Sequence, residues 1–494
     1  MAELTVCTPL RVEQLAVRRA VRARVVRTGY GPGRTARAVA GLDGDGPIAV
    51  LGVAGGVAAG CRVGDVVVAS EVRGGRGAVE CPSAPLLAGA LRRAGFRVHL
   101  GPIATQPTLA RGGDRARLAA AGVVAVDLES AVLAEWAGAR PFVAVRVVSD
   151  TAAEPLLRPA VLRQGVRALR TLSRAAAVVE DWAAATGPRQ IRLAAPRSFC
   201  AGVERAIDIV ERALDRYGAP IYVRRQIVHN AHIVAALTRR GAVFVTELDE
   251  VPEGARVIFA AHGVTPLVRA AARARGLSVI DATCPLVAKV HNEVRRYAAA
   301  DATVFLIGHR DHEEVVGTVG EAPGRVVVVE DEEEAARVGA DDPDNVAYVM
   351  QTTLAVDEAQ RIAGRLRHRF PALLAPRSDD ICYATSNRQL AVRDLAADTD
   401  LVLVVGSTNS SNSRRLVEVA ARAGVPAHLV EDASGVAPAW LVGARRIGIT
   451  AGASAPAYLV EELVRALSGL GPTEVHEIRS VDENVTFTLP REVS

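Results

Sequence analysis

Short apolar runs alternate with amphipathic segments along the chain, and this alternation predicts an α/β fold with mainly parallel sheets. A polar or glycine-rich loop follows most of the apolar runs, and a helical pattern then follows the loop. Ligands of open α/β sheets bind beyond the carboxyl ends of the strands, so candidate chemistry is sought in these loops. In the second half of the chain the predicted strands are 191–195, 221–228, 257–260, 278–280, 303–307, 401–405 and 446–450.

One long amphipathic segment, residues 162–185, divides the chain. Apolar residues repeat at helical spacing along it, and it ends at Thr186-Gly187-Pro188, which stops a helix. We therefore predict a first part over residues 1–187 and a second over 188–494.

Composition excludes several classes of protein. Apolar residues make up 50% of the chain, which excludes disorder as its main state. Residues 1–187 are rich in arginine, but aromatic residues are only 4% of the chain, so stacking platforms for nucleic acid are lacking. We expect no nucleic-acid binding, no membrane span and no signal peptide, and hence a cytoplasmic protein. Six cysteines in that compartment favour metal or redox chemistry over disulfides.

Three cysteines occupy comparable positions, each just before a predicted helix: Cys200, Cys284 and Cys382. The positive end of a helix dipole is expected to lower the pKa of such a thiol and favour the thiolate, which binds metal. The pattern suggests three similar α/β units that each offer one thiolate to a shared centre. Soft thiolates favour iron–sulfur or zinc, and three ligands leave one position open. Three buried cysteines that act as small hydrophobic residues remain the alternative.

Five loops at strand ends could hold an anion. Backbone N–H groups at helix starts, together with Ser, Asn and His side chains, form an anion cradle, although each loop taken singly could simply cap its helix. No Walker A motif is present. Glu314 is the carboxyl group best placed to transfer protons in such a pocket. The five loops are 228–230, 260–266, 308–314, 406–413 and 451–456.

The second half, from about Ile191 to Arg491, resembles the 4-hydroxy-3-methylbut-2-enyl diphosphate reductases. The resemblance rests on nine motifs that follow one another in the order of that family: 195–203 (APRSFCAGV), 228–230 (VHN), 261–264 (AHGV), 281–285 (DATCP), 312–315 (HEEV), 351–353 (QTT), 381–385 (ICYAT), 410–413 (SSNS) and 450–456 (TAGASAP).

This resemblance implies three α/β units around a central 4Fe–4S cluster held by Cys200, Cys284 and Cys382. Glu314 would donate a proton. The substrate, and mostly its diphosphate, would be surrounded by His229, His262, His312, Thr352, Ser410, Ser411, Asn412 and Ser454. The implied reaction is the two-electron reductive dehydroxylation of 4-hydroxy-3-methylbut-2-enyl diphosphate to isopentenyl and dimethylallyl diphosphates, with ferredoxin or flavodoxin as electron donor.

Two other interpretations stay open for the second half. A zinc hydrolase would use the three cysteines and either His309 or His312 as the fourth ligand of a tetrahedral site. An iron–sulfur redox sensor or electron carrier would favour a fourth cysteine, and the second half holds only three.

Five stretches of the first half carry a second resemblance: 28–34 (TGYGPGR), 52–57 (GVAGGV), 64–67 (GDVV), 126–131 (VDLESA) and 146–150 (RVVSD). By these stretches, residues 1 to about 160 resemble the nucleoside phosphorylase and nucleosidase superfamily. The resemblance implies a separate α/β domain in which Glu129 binds a ribose and Asp150 is the acid near a purine. The segment is short for that fold and has few aromatic residues to stack a base, so a non-catalytic accessory domain is the alternative.

Overall fold

The computed structural model describes residues 3–151 and 161–494, and the chain forms two compact units. The first unit comprises Met1–Ile191, Val430–Ile447 and Leu459–His476, and the second comprises Arg192–Leu429, Gly448–Tyr458 and Glu477–Ser494. The division at residue 188 that the sequence suggests stays a prediction. Across the described ranges, no helix combines the length and the apolar character needed to cross a membrane.

The first unit is built on an eight-stranded sheet that closes on itself. Strand β3 pairs with β7 and β8, β8 pairs with β4, β4 with β6, and β6 with β7, so five strands form a ring. Val, Ile, Leu and Ala residues fill its interior, and residues 48–51 are fully buried. The strands are β1 (Thr5–Thr8), β2 (Arg24–Arg27), β3 (Ile48–Gly56), β4 (Val66–Gly74), β5 (Gly77–Glu80), β6 (Val98–Thr105), β7 (Ala125–Asp127) and β8 (Phe142–Asp150).

Six helices surround this sheet. The predicted amphipathic segment forms the last of them, α6, whose buried residues include Leu172, Ala176 and Val179 at helical spacing. The helices are α1 (Arg11–Arg18), α2 (Pro32–Val39), α3 (Ala84–Arg93), α4 (Gly112–Ala120), α5 (Ser130–Ala137) and α6 (Val161–Ala184).

Twelve further strands form three sheets, which confirms the predicted α/β class. Their orders are β11-β10-β12-β13, β15-β14-β16 and β18-β17-β19-β9-β20, and every pair in the first two sheets is parallel. The strands are β9 (Arg189–Ala195), β10 (Ile221–Arg224), β11 (Ala242–Val245), β12 (Arg256–Phe259), β13 (Ser278–Asp281), β14 (Thr303–Ile307), β15 (Val326–Val329), β16 (Val346–Met350), β17 (Leu401–Val405), β18 (Ala427–Val430), β19 (Arg446–Ala451) and β20 (Thr473–Arg479).

The predicted strand 221–228 is too long. It ends at Arg224, because Arg225 adopts a left-handed backbone with φ of 60°, which no strand accommodates. Cys382 does not follow a strand directly. The element that precedes this cysteine is α13, and the chain between them is irregular apart from one bridge between Leu374 and Ala347.

The helices of the second half mostly begin at the carboxyl ends of strands, where the sequence placed the polar loops. Two short 3₁₀ turns lie at Leu248–Glu250 and Ala433–Gly435. The helices are α7 (Ala201–Tyr217), α8 (Ala231–Arg239), α9 (Pro266–Ala274), α10 (Pro285–Ala299), α11 (Glu313–Val319), α12 (Glu332–Arg337), α13 (Val356–Arg369), α14 (Tyr383–Ala396), α15 (Ser411–Arg422), α16 (Pro438–Leu441) and α17 (Ala457–Ser468).

Candidate functional site

The three cysteines singled out from the sequence each occupy the N-cap position of a helix. Cys200 caps α7, Cys284 caps α10 and Cys382 caps α14. All three are free thiols, and all three line one cavity of about 800 Å³ in the second unit. The fold therefore brings together thiols that are far apart in the chain.

A glycine lets two of these thiols approach each other. A β-carbon at Gly202, in the first turn of α7, would lie 2.7 Å from Sγ of Cys284 and 3.9 Å from Sγ of Cys200. Any larger residue at this position would displace the Cys284 sulfur. Gly202 thus keeps the space between the two sulfurs open.

A buried arginine fixes the Cys200 loop to the helix that follows Cys382. Arg388 lies on α14 and is fully buried. Its guanidinium donates hydrogen bonds to the carbonyl oxygens of Ser198, at 2.8 and 3.1 Å, and of Phe199, at 3.1 Å, and forms an ion pair with Glu483 at 2.9 Å. Because the charge is paired and its donors are used, the loop before Cys200 has little freedom.

The single lysine of the chain, Lys289, holds the loop before Cys382 in a similar way. Lys289 lies on α10, the helix that Cys284 caps, and its Nζ donates to the carbonyl oxygens of Ser378 and Asp379, both at 2.8 Å. It also forms an ion pair with Asp380 at 3.1 Å. The loop that ends at Cys382 is therefore tied to the helix of the second thiol.

The expected lowering of the thiol pKa values is wrong for two of the three cysteines. Burial raises the pKa of Cys284 to about 11 and that of Cys382 to about 12, because a thiolate in an apolar cavity loses its hydration. Backbone N–H groups at the helix starts oppose this effect, and Thr385 donates its N–H to Sγ of Cys382 at 3.3 Å. In the protein without metal, burial outweighs the helix dipole.

Glu314 is a buried carboxyl group beside the thiols. It lies in the first turn of α11, is 2% exposed and lines the same cavity. Its Oε1 accepts the N–H of Thr352 at 2.7 Å, and its Oε2 accepts the hydroxyl of Thr352 at 3.1 Å. Burial raises the pKa of Glu314 to about 7, so near neutral pH the group can hold a proton and release it.

Three histidines pack against one another on the cavity wall. The rings of His229 and His262 stack with centroids 4.1 Å apart, and His312 meets both edge-on at 5.8 and 5.9 Å. Burial lowers the pKa of His229 and of His312 to about 4, and burial and the two neighbouring rings lower that of His262 well below its usual value. At neutral pH these rings offer N–H groups rather than positive charge.

The start of α15 and the loop after β19 add neutral polar groups to the wall. Ser410 caps this helix by accepting the N–H of Ser413 at 3.3 Å, and Ser454 donates its hydroxyl to the carbonyl oxygen of His229 at 3.2 Å. Within the described part of the chain, Oγ of Ser411 and both side-chain polar atoms of Asn412 are buried without a hydrogen-bond partner. Such atoms are costly unless a ligand completes them.

All twelve residues that the sequence assigns to the second site therefore line one cavity, together with residues that it did not assign. Thr385 contacts the Cys382 sulfur, and Tyr383 and Phe487 lie on the wall. Phe487 comes from the irregular C-terminal segment after β20, and no pattern in the sequence marks it.

A second, more polar cavity of about 1200 Å³ shares His229, His312 and Ser411 with the first. It contains Arg414, an exposed residue whose positive charge contributes to the lowered pKa values of His229 and His312. His309 lies here, in contact with the guanidinium of Arg415, and does not line the cavity of the thiols.

The first unit has its own cavity, of about 1100 Å³, lined by both Glu129 and Asp150. Glu129 is 3% exposed and accepts the N–H of Gly31 at 3.0 Å. Asp150 is 4% exposed, forms an ion pair with Arg115 and accepts the hydroxyl of Ser149 at 2.9 Å. The structure thus places the two acidic residues singled out from the sequence in one cavity.

A third carboxyl group of this cavity went unnoticed in the sequence. Glu13 lies on α1 and is 1% exposed, and its two oxygens accept the N–H groups of Val53 and Leu10, both at 2.7 Å. Burial raises the pKa of Glu13 to about 7. On a short amphipathic helix an acidic residue looks like an ordinary surface residue, and only the tertiary structure shows that it faces inward.

A fully buried arginine holds Glu129 in place. Arg146 forms an ion pair with Asp127 at 2.7 Å and another with Glu129 at 3.4 Å, and it donates a hydrogen bond to Ser130 at 3.0 Å. Burial raises the pKa of Glu129, whereas the charge of Arg146 opposes that rise. The network fixes the carboxylate at the cavity wall.

Comparison with known proteins gives separate results for the two halves. Residues 191–468 match the model of the LytB protein family. The 4-hydroxy-3-methylbut-2-enyl diphosphate reductase of Leifsonia xyli is 54% identical over 62% of this chain and 91% of its own. Among solved structures, the E-1-hydroxy-2-methyl-but-2-enyl-4-diphosphate reductase of Plasmodium falciparum is 37% identical, with a TM-score of 0.60 over 62% of this chain and 97% of its own.

A weaker likeness concerns the first half. A 5′-methylthioadenosine/S-adenosylhomocysteine nucleosidase of Neisseria meningitidis is 19% identical, with a TM-score of 0.32 over 36% of this chain and 98% of its own. That TM-score is too low to support an inference about the first half. For the second half, the family model and curated relatives that are 54–56% identical agree. The chain belongs to the LytB protein family.

Proposed function

We propose that the second unit is a 4-hydroxy-3-methylbut-2-enyl diphosphate reductase. Relatives that bear this name are 54–56% identical over 91–97% of their own length. The observation that carries the proposal is the single cavity that holds three free thiols, one buried carboxyl group and a wall of neutral hydrogen-bonding groups.

The three thiols fit a 4Fe–4S cluster better than a single ion. Four ligands of one zinc ion lie about 3.8 Å apart, as follows from tetrahedral Zn–S bonds. Among residues 3–151 and 161–494, no group of three or more His, Cys, Asp or Glu side chains is arranged to hold one metal ion. Ligands of a cluster bind different irons and need not converge on one point. Of the two candidate fourth zinc ligands, His309 lies in the neighbouring cavity, whereas His312 lines the cavity of the thiols.

The three thiols would share the binding of the 4Fe–4S cluster. Cys200, Cys284 and Cys382 would each bind one iron as thiolates, and metal binding would supply the deprotonation that burial opposes. A cluster bound there would supply two electrons, from a ferredoxin or flavodoxin donor, and one iron open to the substrate hydroxyl. Gly202 provides the room between two of the ligands.

Neutral donors surround the diphosphate in this proposal. His229, His262 and His312 present N–H groups, and Ser411 and Asn412 have unpaired polar atoms at the wall. Ser410, Ser454 and Thr352 complete the set of hydroxyl groups. Binding energy from a diphosphate remote from the reacting C–O bond can hold the reacting carbon in place.

Glu314 is the proton donor to the substrate hydroxyl in this proposal. With a pKa of about 7 it is partly protonated at neutral pH, and Thr352 keeps its carboxyl group in one orientation. Its proton goes to the substrate hydroxyl, so that the C–O bond breaks with loss of water. Two electrons and a second proton, added at either end of the allylic carbon skeleton, complete the balance and give the two isomeric products.

The proposal is tested by turnover under anaerobic conditions. The purified full chain, supplied with a chemically reduced dye, should convert 4-hydroxy-3-methylbut-2-enyl diphosphate to isopentenyl and dimethylallyl diphosphates. Cys382→Ser should abolish this conversion, whereas Cys81→Ser, at a buried thiol of the first unit, should keep it. Release of phosphate by a zinc-containing protein would instead support the hydrolase, and a cluster without turnover would support the redox sensor.

We propose a second activity for the first unit, the cleavage of N-glycosidic bonds. Three buried carboxyl groups in one cavity, Glu13, Glu129 and Asp150, favour it over an accessory domain, because buried acids are costly unless they serve a ligand or reaction. Glu129 would bind the ribose hydroxyls, Asp150 would donate a proton to the departing base, and Glu13 would take the proton of an attacking water. Release of free base from purine nucleosides by the wild type, and its loss in Glu129→Gln, would test this.

A further inference from the structure

A buried histidine of the second unit lies on the helix that begins at one of the thiols. His291 is on α10, the helix that Cys284 caps, and is 1% exposed. It follows Cys284 by seven residues, which is about 10 Å along a helix. His291 does not line the cavity of the thiols. Any effect of its ring on the reaction must therefore pass through the elements that the ring contacts.

One of these elements is the loop that carries His262. A β-carbon at Gly263, the next residue, would lie 2.9 Å from Cε1 and 3.4 Å from Nε2 of the His291 ring. Gly263 also has a φ of 81°, in the left-handed region that favours glycine. A side chain at this position would collide with the ring, so the backbone of the loop lies directly against His291.

The same edge of the ring faces α11, the helix that carries Glu314. Gly317 follows Glu314 by three residues on this helix and is buried. A β-carbon at Gly317 would lie 3.6 Å from Cε1 of His291, and 3.6 Å from the carbonyl carbon and oxygen of Gly263. The ring, the loop of His262 and the helix of Glu314 therefore meet at one point.

A buried carboxylate holds the ring of His291 in this orientation. Nδ1 of the ring lies 2.9 Å from Oε1 of Glu321, whose side chain is fully buried. Two arginines hold Glu321 in turn, Arg269 of α9 at 3.0 Å and Arg295 of α10 at 2.6 Å. Because a buried carboxylate is costly without its partners, this network keeps Nδ1 toward Glu321 and the opposite edge toward the loop.

We propose that His291 is a positioning residue, whose ring sets the separation between the loop of His262 and α11 and so places Glu314 for proton transfer. The inference rests on the reductase function proposed above. A general acid must lie within about 3 Å of the atom that it protonates, and a misplacement of about 1 Å can lower a rate by about 10²-fold. Removing the ring would leave a cavity into which the loop and α11 can shift.

The first test is the kinetics of His291→Ala in the anaerobically purified full chain. We expect kcat to fall by about 10²-fold. KM should change less, because Ser411 and Asn412 of the diphosphate wall lie on α15, which the ring does not position. Leu237→Ala is the matched control for lost packing, since it removes a buried side chain near the C-terminal end of α8, and it should keep most of the turnover.

A double-mutant cycle separates the positioning of Glu314 from a general loss of structure. If His291 acts through Glu314, adding His291→Ala to Glu314→Gln should lower the remaining kcat little further, because the proton donor is already gone. Losses that multiply would show that the ring affects turnover by another route and would overturn the inference. Urea unfolding and iron content are measured on the same preparations.

His291→Asn takes the place of His291→Ala in this cycle if the alanine variant does not fold. Its amide nitrogen can replace Nδ1 beside Glu321, whereas the ring edge that faces Gly263 is missing. The asparagine variant should contain as much iron as the wild type and still lose kcat. Normal kcat in the folded variant, beside an active wild type, would overturn the positioning role and leave the reductase function standing. A wild type without turnover would overturn the reductase function, and this inference with it.

Discussion

Replacing Glu314 with Gln removes a proton and little else. The side chain of Glu314 is 2% exposed, and both of its carboxyl oxygens accept hydrogen bonds from Thr352. A carboxamide has the same volume, and its oxygen can still accept the N–H of Thr352. Any loss of activity in Glu314→Gln therefore reports on proton transfer rather than on packing.

The expected loss is large. A positioned general acid contributes about 10²–10⁴-fold to the rate, so kcat should fall by that factor, or by about 3–5 kcal/mol of transition-state stabilisation. The control is Glu313→Gln, which changes the neighbouring carboxyl group on the same helix. The carboxylate of Glu313 lies 3.5 Å from the Arg225 guanidinium and 3.6 Å from Nδ1 of His262, and it does not line the cavity of the thiols. The Glu313→Gln variant should therefore keep most of the turnover.

The pH dependence gives an independent check on Glu314. Because the pKa is raised to about 7, the proton needed for catalysis is present below pH 7 and is lost as the pH rises through that value, so kcat should decline on the alkaline side. The raised pKa also costs stability, which falls as the pH rises from the ordinary value of 4.5 to about 7, by up to about 3 kcal/mol.

The Gln variant cannot ionise, so it should be more stable than the wild type above pH 7 while being nearly inactive. Turnover and urea unfolding are measured on the same anaerobic preparations, with the iron content determined for each. Near-normal kcat in Glu314→Gln with full iron content would refute the assignment. A wild-type kcat that does not decline above pH 7 would also count against it.

Three more outcomes follow from the structure. Arg414→Gln should raise KM for the diphosphate substrate, leave kcat nearly unchanged and weaken the salt dependence of kcat/KM, because the exposed Arg414 supplies positive charge at a wall where the histidines are neutral; an unchanged salt dependence would argue against this role. Arg146→Met should destabilise the first unit by about 3–5 kcal/mol in thermal unfolding, since it leaves two buried carboxylates without their partner. Arg117→Met breaks an exposed pair and should leave the unfolding transition nearly unchanged, and equal effects of the two substitutions would contradict the argument. Gly202→Ala should lower the iron content, because its β-carbon would sit 2.7 Å from the position of the Cys284 sulfur, and full occupancy would show that the sulfur can move freely.

Much of the candidate site could be predicted from short segments of the sequence. The three cysteines are N-caps because each precedes a run with helical pattern, and capping depends on a few adjacent residues. The predicted bounds of the buried strands 303–307 and 401–405 match the observed ones, since each apolar run ends at a glycine that polar residues follow.

Other features of the site depend on tertiary structure and could not be predicted from the sequence. The dipole argument predicted a lower thiol pKa, but the burial of Cys284 and Cys382 depends on packing between helices distant in the chain. Lys289 and Arg388 donate hydrogen bonds to carbonyl oxygens about 90 and 190 residues away in the chain. No local pattern in the sequence reveals such contacts. Short strands such as Ala427–Val430 went unpredicted because four residues show little periodicity.

The content of iron and acid-labile sulfide in the anaerobically purified protein tests the central claim most directly. The wild type should contain about four of each per chain, as a 4Fe–4S cluster requires. Replacing Cys200, Cys284 or Cys382 singly with Ser should deplete both, whereas Cys61→Ser, at a half-buried thiol of the first unit, should not. Zinc without sulfide in the wild type, or full iron content in all three variants, would contradict the account.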